Sequence, residues 1–345
     1  MATSPLSSDT FHHDVPLRRF NTFGLEARAG RYFRATTPGG LREALVAERP
    51  ELVLGGGSNL LLARDITGLV LHVDLRGLIV EDVPGDGDAV EVTVAAGENW
   101  HNFVLRTLEL DLGGLENLSL IPGSVGASPI QNIGAYGVEI EDHFVRLEAL
   151  HVHTLRRRTF TKEECRFGYR SSVFKTALRG QYIITAVTFR LTRRGHALRA
   201  DYGDVRAHVE ARGLGLSPKH ISDAVIAIRQ SKLPDPAQIG NSGSFFKNPE
   251  LSAEQFASFA ERHPDAPSYP LPDGGRKVPA GWLIDRAGWK GHRRGAIGVH
   301  DRQALVLVNH GGGAGKDLYA LAEEIQADVR ERYGIALEME VNVVR

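Results

Sequence analysis

Two segments dense in glycine and small polar residues constrain this chain more than any other feature of its sequence. The first, GGGSN at 55–59, directly follows an apolar run at 52–54, and the second, IPGSVGASPIQNIGAYG at 121–137, follows a helical pattern and a turn. Consecutive glycines let backbone N–H groups converge on an anion, but they also form ordinary tight turns. Each segment alone is therefore either a turn or a backbone anion-binding site.

Two familiar nucleotide-binding motifs do not account for these glycines. In GGGAGK at 311–316, His310 replaces the first glycine of a P-loop, and Asp317 stands in place of the final serine or threonine. The third-glycine position of a dinucleotide fingerprint that starts at Gly55 is Leu60. We therefore expect neither a P-loop nor a Rossmann dinucleotide site.

Length and charge exclude several classes of protein. The 345 residues suggest at least two domains. The 41 Lys and Arg residues nearly balance 42 Asp and Glu residues, whereas a nucleic-acid partner requires a concentrated basic face. No window approaches about 18 uninterrupted apolar residues, and residues 1–20 lack the apolar core of a secretory signal. We expect a cytoplasmic protein with no nucleic-acid or membrane partner.

The sequence predicts no metal site. Cys165 is the only cysteine, which excludes an intrachain disulfide and a cysteine metal cluster, so we expect a structural thiol. His151 and His153 could place two ligands on one face of a strand. No third ligand is evident, and a solvated strand face is the alternative.

Short apolar strands alternate with helical patterns, which predicts an α+β architecture. Ser252 is a candidate N-cap, and Gly334 is a candidate helix stop. We expect strands within 51–59, 69–75, 90–97, 182–194 and 335–344. We expect helices over 99–110, 252–264 and 314–334.

Taken together, the glycine segments belong to an ordered set of motifs that resembles the UDP-N-acetylenolpyruvoylglucosamine reductase family. The set spans nearly the whole chain after the N-terminal residues. DYGDV at 201–205 also resembles the family's longer form, which carries a tyrosine-containing loop there. The other motifs are NTFG (21–24), LGGGSNLL (54–61), IPGSVGASPIQNIGAYG (121–137), FGYRSSVFK (167–175), SKLPDP (231–236), GSFFKNP (243–249), AGWLID (280–285) and LEMEV (337–341).

The resemblance implies a two-lobed FAD-binding module of the vanillyl-alcohol-oxidase (PCMH) type, followed by a C-terminal α+β substrate-binding domain. A composition change near 193–204 supports a boundary after the first module. A monomer is the family expectation. The expected organisation is a flexible tail over 1–17, an FAD-binding domain over 18–195 with its lobes split near residue 70, a tyrosine loop and helical connector over 196–232, and a substrate-binding domain over 233–345 whose last strand returns to the active site.

The resemblance also implies an activity, that of an NADP-dependent UDP-N-acetylmuramate dehydrogenase of peptidoglycan precursor synthesis. Such an enzyme binds FAD non-covalently, uses NADPH as reductant, and reduces the enolpyruvyl ether of UDP-N-acetylglucosamine enolpyruvate to a D-lactyl ether. By position, the residues expected to line the FAD are Gly55, Gly56, Gly57, Ser58, Asn59, Pro122, Gly123, Ser124, Gly126, Ala127, Gln131, Asn132, Gly134, Ala135 and Gly137.

The chemistry of this reduction requires a cation and a proton donor. Hydride adds to the terminal carbon, so negative charge develops beside the carboxylate, where a guanidinium stabilises it. Arg170 matches the family's catalytic arginine, although by itself it could be a surface arginine on a strand. The surroundings of Ser244 do not form the G-x-S-x-G elbow of a nucleophilic serine. Ser244 instead resembles the family's serine that protonates the carbon. We expect Phe245 and Phe246 to pack beneath its loop.

Glu340 lies in the alternating pattern of the last strand, whose acidic face could simply be solvated. The resemblance selects Glu340, and not Glu338, as the catalytic glutamate. A carboxyl group beside a dianion helps only if it is protonated or orients a donor, so we expect a raised pKa for Glu340 in the substrate complex. Asn342 departs from the family pattern, in which a basic residue is common.

The nucleotide sugar is expected to contact four residues. A diphosphate favours a cation and a phenol donor, which Lys232 and Tyr202 supply, and the resemblance adds Tyr136 and Asn248. Two other interpretations remain open. A flavin-dependent oxidase of a small alcohol could share the scaffold, and a non-catalytic nucleotide-sugar or flavin-binding protein could keep the glycine segments.

Overall fold

The computed structural model describes residues 6–345, which form a mixture of helices and strands. The strands are β1 (Phe11–Pro16), β2 (Arg28–Ala35), β3 (Pro50–Leu54), β4 (Leu60–Leu62), β5 (Ile66–Val73), β6 (Leu78–Asp82), β7 (Ala89–Ala95), β8 (Gly134–Ala135), β9 (Val138–Glu139), β10 (Phe144–His151), β11 (Arg157–Thr161), β12 (Tyr182–Thr192), β13 (Gly240–Ser244), β14 (Glu250–Leu251), β15 (Tyr269–Pro270), β16 (Arg276–Lys277), β17 (Arg293–Arg294), β18 (Ile297–Val299), β19 (Val306–Asn309) and β20 (Asn342–Val344). The α-helices are α1 (Pro38–Ala47), α2 (Trp100–Glu109), α3 (Lys162–Cys165), α4 (Val205–Glu210), α5 (Pro218–Lys232), α6 (Ala253–Arg262), α7 (Ala280–Arg286) and α8 (Gly315–Tyr333). Short 3₁₀ turns cover Arg18–Phe20, Glu116–Leu118, Val125–Gln131 and Ile140–Asp142.

The described chain forms two compact units. The first comprises residues up to 15, 28–56 and 66–231, and the second comprises 16–27, 57–65 and 232–345. These units differ from the domain boundaries expected from the sequence. Residues 18–27, expected in the FAD-binding domain, belong to the second unit. The first glycine segment is divided, with its last three residues in the second unit, and the connector up to residue 231 belongs to the first unit.

The sequence predicted a flexible tail over 1–17, of which residues 1–5 lie outside the described residues. In the described part the prediction is wrong, because strand β1 forms there. Strand β1 is the edge of a four-stranded sheet with the order β1-β2-β5-β3. The Phe11 ring meets Phe33 edge-on at 4.8 Å, and Val15 is buried. The surrounding polar residues concealed this short amphipathic strand in the sequence.

The first unit contains two sheets, in agreement with a two-lobed module. In the first sheet, β2, β5 and β3 are parallel. The second sheet has the order β11-β10-β12-β7-β6, and all its pairs are antiparallel. Strand β5 of the first sheet ends at Val73, and strand β6 of the second sheet begins at Leu78.

The second sheet and helix α2 bury the main apolar cluster of the first unit. Trp100 packs edge-on against both Phe103 and Phe189, with ring centroids 5.7 Å apart in each pair. Asn99 caps α2, because its side chain accepts a bond from the backbone N–H of Asn102 at 3.0 Å. Cys165 lies in this cluster, and burial raises the pKa of its thiol to about 12, which fits a structural role.

In the second unit, β13, β19, β18 and β17 form a sheet, and β4 pairs in parallel with β20. The local helix signals read from the sequence are present. Ser252 forms a capping box with Gln255 at the start of α6, and Gly334 ends α8 with a φ of 70°. The predicted last strand over 335–344 is shorter, because regular pairing is confined to β20.

His72 gives the first unit a predictable pH dependence. Its Nδ1 lies 2.7 Å from the Tyr32 hydroxyl, and burial lowers its pKa from 6.5 to about 4. Between these two values the unfolded chain binds a proton that the folded chain does not. Stability therefore falls as the pH drops from about 6.5 towards 4, by up to about 3 kcal/mol.

Urea unfolding of the wild type and of His72→Asn at about pH 7.5 and pH 5 measures this effect. We expect the wild type to lose about 2 kcal/mol more than the variant on acidification, since only the wild type carries the titrating ring. Parallel losses in the two proteins would show that His72 does not control this part of the pH dependence.

Candidate active site

The first unit brings the two glycine segments into backbone contact. A Cβ on Gly56 would lie 2.7 Å from the Cα of Gly123, and a Cβ on Gly55 would lie 2.4 Å from the Oγ of Ser124. The backbone of the second segment is fixed in turn, because the N–H of Val125 donates to the carbonyl oxygen of Glu98 at 2.9 Å. These glycines therefore serve a close approach that side chains would prevent, and not merely two separate turns.

At the end of the second segment, β8 and β9 form a hairpin with a two-residue loop. Tyr136 and Gly137 connect the strands with φ values of 50° and 79°, which is the pattern of a type I′ turn. Asn132 is fully buried, and its side chain donates to the carboxylates of Glu139 at 2.7 Å and Glu141 at 3.0 Å. The Asn132 side chain thus holds the loop in shape, whereas Ala127 is exposed.

Arg170 lies against this second glycine segment. It occupies a tight turn closed by hydrogen bonds between Gly168 and Ser171, and its own φ is 50°. Its guanidinium Nη2 donates to the carbonyl oxygen of Gly134 at 2.6 Å, and its Nη1 lies 3.7 Å from a carboxylate oxygen of Glu139. Arg170 is therefore not a surface arginine on a strand, which was the alternative. It is a turn residue whose largely buried guanidinium is held in one orientation by Gly134.

Arg229 and His101 were not predicted as site residues. Arg229 lies near Tyr136, and His101 lies near Arg229. Arg229 of α5 has a buried Nε without a hydrogen-bond partner among residues 6–345, and burial lowers its pKa. Burial also lowers the pKa of His101, with a smaller contribution from Arg229. An arginine that follows the apolar stripe of α5 was the available signal, since Val225 and Ile228 are buried. A buried guanidinium of this kind favours an anionic ligand.

In the second unit, a bulge in β13 presents Ser244. The register with β19 shifts between Asn241 and Ser244, and Gly243 has a φ of 71°. The side-chain oxygen of Asn241 accepts the N–H of Gly243 at 2.9 Å and holds this bend. Ser244 is exposed, while Phe245 and Phe246 are buried beneath it, as the sequence analysis expected.

Glu340 lies beside the same loop. Its N–H donates to the carbonyl oxygen of Phe245 at 2.8 Å, and its carbonyl oxygen accepts the side-chain amide of Asn59 at 3.1 Å. The second unit therefore places Glu340 next to the Ser244 loop and to the end of the first glycine segment. Glu338 instead forms an ion pair with Lys247 and is exposed.

The remaining predicted residues have simpler surroundings. The Asn248 side chain accepts the N–H of Ala280 at 2.9 Å, at the start of α7, and Lys232 is exposed at the end of α5. Tyr202 is half exposed in the first unit. Of the three catalytic candidates, Ser244 and Glu340 thus belong to the second unit and Arg170 to the first.

Across 6–345, His, Cys, Asp and Glu form no group of three that could hold a metal ion. The Nδ1 of His151 accepts the N–H of His153 at 3.2 Å within a turn. No helix in the described part of the chain has the length and apolar character needed to cross a membrane.

Comparisons with known proteins define the class and then the family. The model of the FAD binding domain matches residues 40–153, and that of the C-terminal domain of UDP-N-acetylenolpyruvoylglucosamine reductase matches residues 235–344. The chain therefore joins an FAD-binding domain to the C-terminal domain of a reductase, and it is a flavin-dependent oxidoreductase.

The relatives are consistent with one another. The chain is 52% identical to the UDP-N-acetylenolpyruvoylglucosamine reductase of Chromobacterium violaceum, over 96% of this chain and 98% of the relative. It is 48% identical to that of Flavobacterium johnsoniae, over 95% and 98%. The crystal structure of the Thermus caldophilus enzyme matches with a TM-score of 0.67 at 25% identity, covering 97% of this chain and 100% of that one.

The chain therefore belongs to the UDP-N-acetylenolpyruvoylglucosamine reductase family. The predicted fold class, an FAD-binding module with a C-terminal α+β domain, is confirmed. Its reaction is the reduction of UDP-N-acetylenolpyruvoylglucosamine, a step of peptidoglycan synthesis, with FAD as its cofactor.

Proposed function

We propose that this enzyme uses NADPH as reductant and converts the enolpyruvyl ether to the D-lactyl ether with Ser244 as the proton donor. The observation that carries this proposal is the Ser244 loop, in which a bulge exposes one hydroxyl above two buried phenylalanines and beside Glu340. FAD, when bound and reduced by NADPH, would supply a hydride from its N5 atom. Ser244 then donates the proton that completes the reduction at the carbon beside the carboxylate.

Arg170 and Glu340 have complementary roles in this proposal. The guanidinium of Arg170 remains charged and stabilises the negative charge that develops at the substrate carboxylate. Its bond to the carbonyl oxygen of Gly134 fixes its direction before substrate arrives. Glu340 orients the donors around the substrate, and its backbone is fixed by Phe245 and Asn59.

The residues of the first unit fit a bound FAD. The backbones of Gly55, Gly56 and Gly123 meet where a Cβ on Gly55 would clash with Ser124 and a Cβ on Gly56 would clash with Gly123. We call these three glycines the cradle and propose that their N–H groups bind a phosphate. We assign the pyrophosphate to this cradle and the rest of the flavin contact to Ala127 and the following residues. The Asn132 side chain bonds within the loop, and we assign to it the role of shaping the loop that contacts the flavin.

The nucleotide sugar is assigned to Tyr136, Tyr202, Lys232 and Asn248, and we add Arg229. The buried guanidinium of Arg229 lies near Tyr136 and needs an anionic partner, which a diphosphate, a carboxylate or the flavin itself would provide. We also propose that the enzyme acts as a monomer in the cytoplasm.

The visible spectrum of the purified protein under anaerobic conditions tests the whole proposal. NADPH should bleach the yellow flavin, and UDP-N-acetylglucosamine enolpyruvate should then restore its colour. Restoration by oxygen alone would indicate an oxidase on the same scaffold. A protein that neither contains flavin nor can be reconstituted with it would contradict the assignment of the cradle.

A further inference from the structure

One buried side chain joins the two segments that carry the tyrosines assigned to the substrate. The Nδ2 of Asn117 donates to the carbonyl oxygen of Tyr136 at 2.9 Å and to that of Arg199 at 2.8 Å. Asn117 lies in the 3₁₀ turn Glu116–Leu118 and is 1% exposed. The N–H groups of one amide thus join residues 136 and 199, which are far apart in the sequence.

The first of these segments is held in a strained conformation. Tyr136 has a φ of 50°, which a bulky side chain adopts only where its surroundings impose it. Asn117 holds the Tyr136 carbonyl, and the guanidinium of Arg199 holds the next one, that of Gly137, at 3.0 Å. Arg199 is itself anchored to Asp142 at 2.9 Å. Both carbonyl groups of the turn are therefore fixed by side chains.

The second segment leads directly to the tyrosine loop. Tyr202 follows Arg199 after three residues, and its ring stands perpendicular to that of Tyr136 with centroids 6.4 Å apart. A Cβ on Gly137 would lie 3.3 Å from the Cβ of Tyr202, so the loop rests directly on the turn. By holding Arg199, Asn117 sets where this loop begins.

We propose that Asn117 is a positioning residue of the nucleotide-sugar site, which fixes the separation and orientation of Tyr136 and Tyr202. This inference rests on the proposed function, because it takes these two tyrosines as substrate-binding residues. Asn117 itself is buried and acts through them.

The variant Asn117→Asp tests the proposal, because it replaces a double donor with oxygens that face two carbonyl groups. We expect the KM for UDP-N-acetylglucosamine enolpyruvate to rise about tenfold or more. The kcat at saturating substrate should stay within about twofold, with an unchanged FAD content. An unchanged KM would overturn the proposal, and so would a loss confined to kcat.

Ser119→Ala is the matched control. Ser119 lies two residues away, and its hydroxyl forms a buried hydrogen bond with that of Ser222 at 2.7 Å. That bond involves neither tyrosine. Its removal costs a buried hydrogen bond in the same segment, so the KM should stay near the wild-type value. Equal increases in KM in the two variants would reduce Asn117 to a general structural role and overturn the proposal.

A double-mutant cycle with Tyr202→Phe provides a second readout. If Asn117 acts through Tyr202, adding Asn117→Asp to Tyr202→Phe should raise the KM by clearly less than tenfold. Fully additive effects would contradict the proposal.

Hydrogen exchange over residues 199–205, measured on the FAD-bound enzyme without substrate, separates this proposal from the proposed function. Exchange should be faster in Asn117→Asp than in Ser119→Ala. Equal exchange overturns the positioning role even if the wild type turns over. A wild type without turnover contradicts the proposed function, whatever the exchange shows.

Discussion

Replacing Ser244 with alanine is expected to leave the reduction of the flavin by NADPH intact and to slow its reoxidation by the enolpyruvyl sugar about 10²- to 10⁴-fold, the usual contribution of a positioned acid. The reason is that the bulge at Gly243 exposes this one hydroxyl beside Glu340, while the residues that follow are buried phenylalanines. Anaerobic stopped-flow measurements of the two half-reactions at the flavin absorbance band separate the effects.

Ser242 provides a matched control for this prediction. It lies in the same strand, two residues from Ser244, and its buried Oγ has no hydrogen-bond partner among residues 6–345. Ser242→Ala removes the same atom without leaving a donor or acceptor unsatisfied, so both half-reactions should stay within about twofold of the wild type. Reoxidation of Ser244→Ala at the wild-type rate would show that another group delivers the proton.

The features that the sequence predicted well are those that neighbouring residues determine. The N-cap at Ser252 depends on a side chain and a backbone N–H three residues apart, and the end of α8 depends on the conformational freedom of Gly334. Ordered motifs then identified the family, because many short matches in one order are specific together.

The features that the sequence did not predict depend on distant partners. Phe11 and Val15 lie in the edge strand of a sheet because a partner strand pairs with it. A short amphipathic run does not reveal that partner in the sequence. The division of the first glycine segment between two units follows from long-range contacts. Arg229 reads as an ordinary helix arginine until the structure shows its buried Nε.

The same distinction applies to the glycine segments. Taken one at a time, their composition favoured a tight turn over an anion site, whereas the structure shows Gly56 pressed against Gly123 of the other segment. The close approach is thus a tertiary requirement that one segment cannot express by itself. It also makes the function of the cradle accessible to a steric test.

Gly56→Val is expected to yield a folded protein that binds FAD about a hundredfold more weakly than the wild type. The new Cβ would lie 2.7 Å from the Cα of Gly123 and 2.9 Å from its carbonyl carbon. Backbone atoms cannot rotate away as a side chain can, so the two segments must separate at a cost of about 1–3 kcal/mol. That cost falls on the cradle that is assigned to the pyrophosphate, and a cost at the upper end of this range corresponds to the hundredfold loss of affinity.

The measurement is a titration of the flavin-free variant with FAD, followed by flavin fluorescence, alongside thermal unfolding of the flavin-free protein. Gly87→Val is the matched control, because Gly87 is also in the first unit and a Cβ there would meet nothing within 4 Å. It should bind FAD as the wild type does. If Gly56→Val bound FAD with wild-type affinity, the contact between the two glycine segments would not belong to the flavin site. If it instead melted far below the flavin-free wild type, the contact would serve the stability of the first unit.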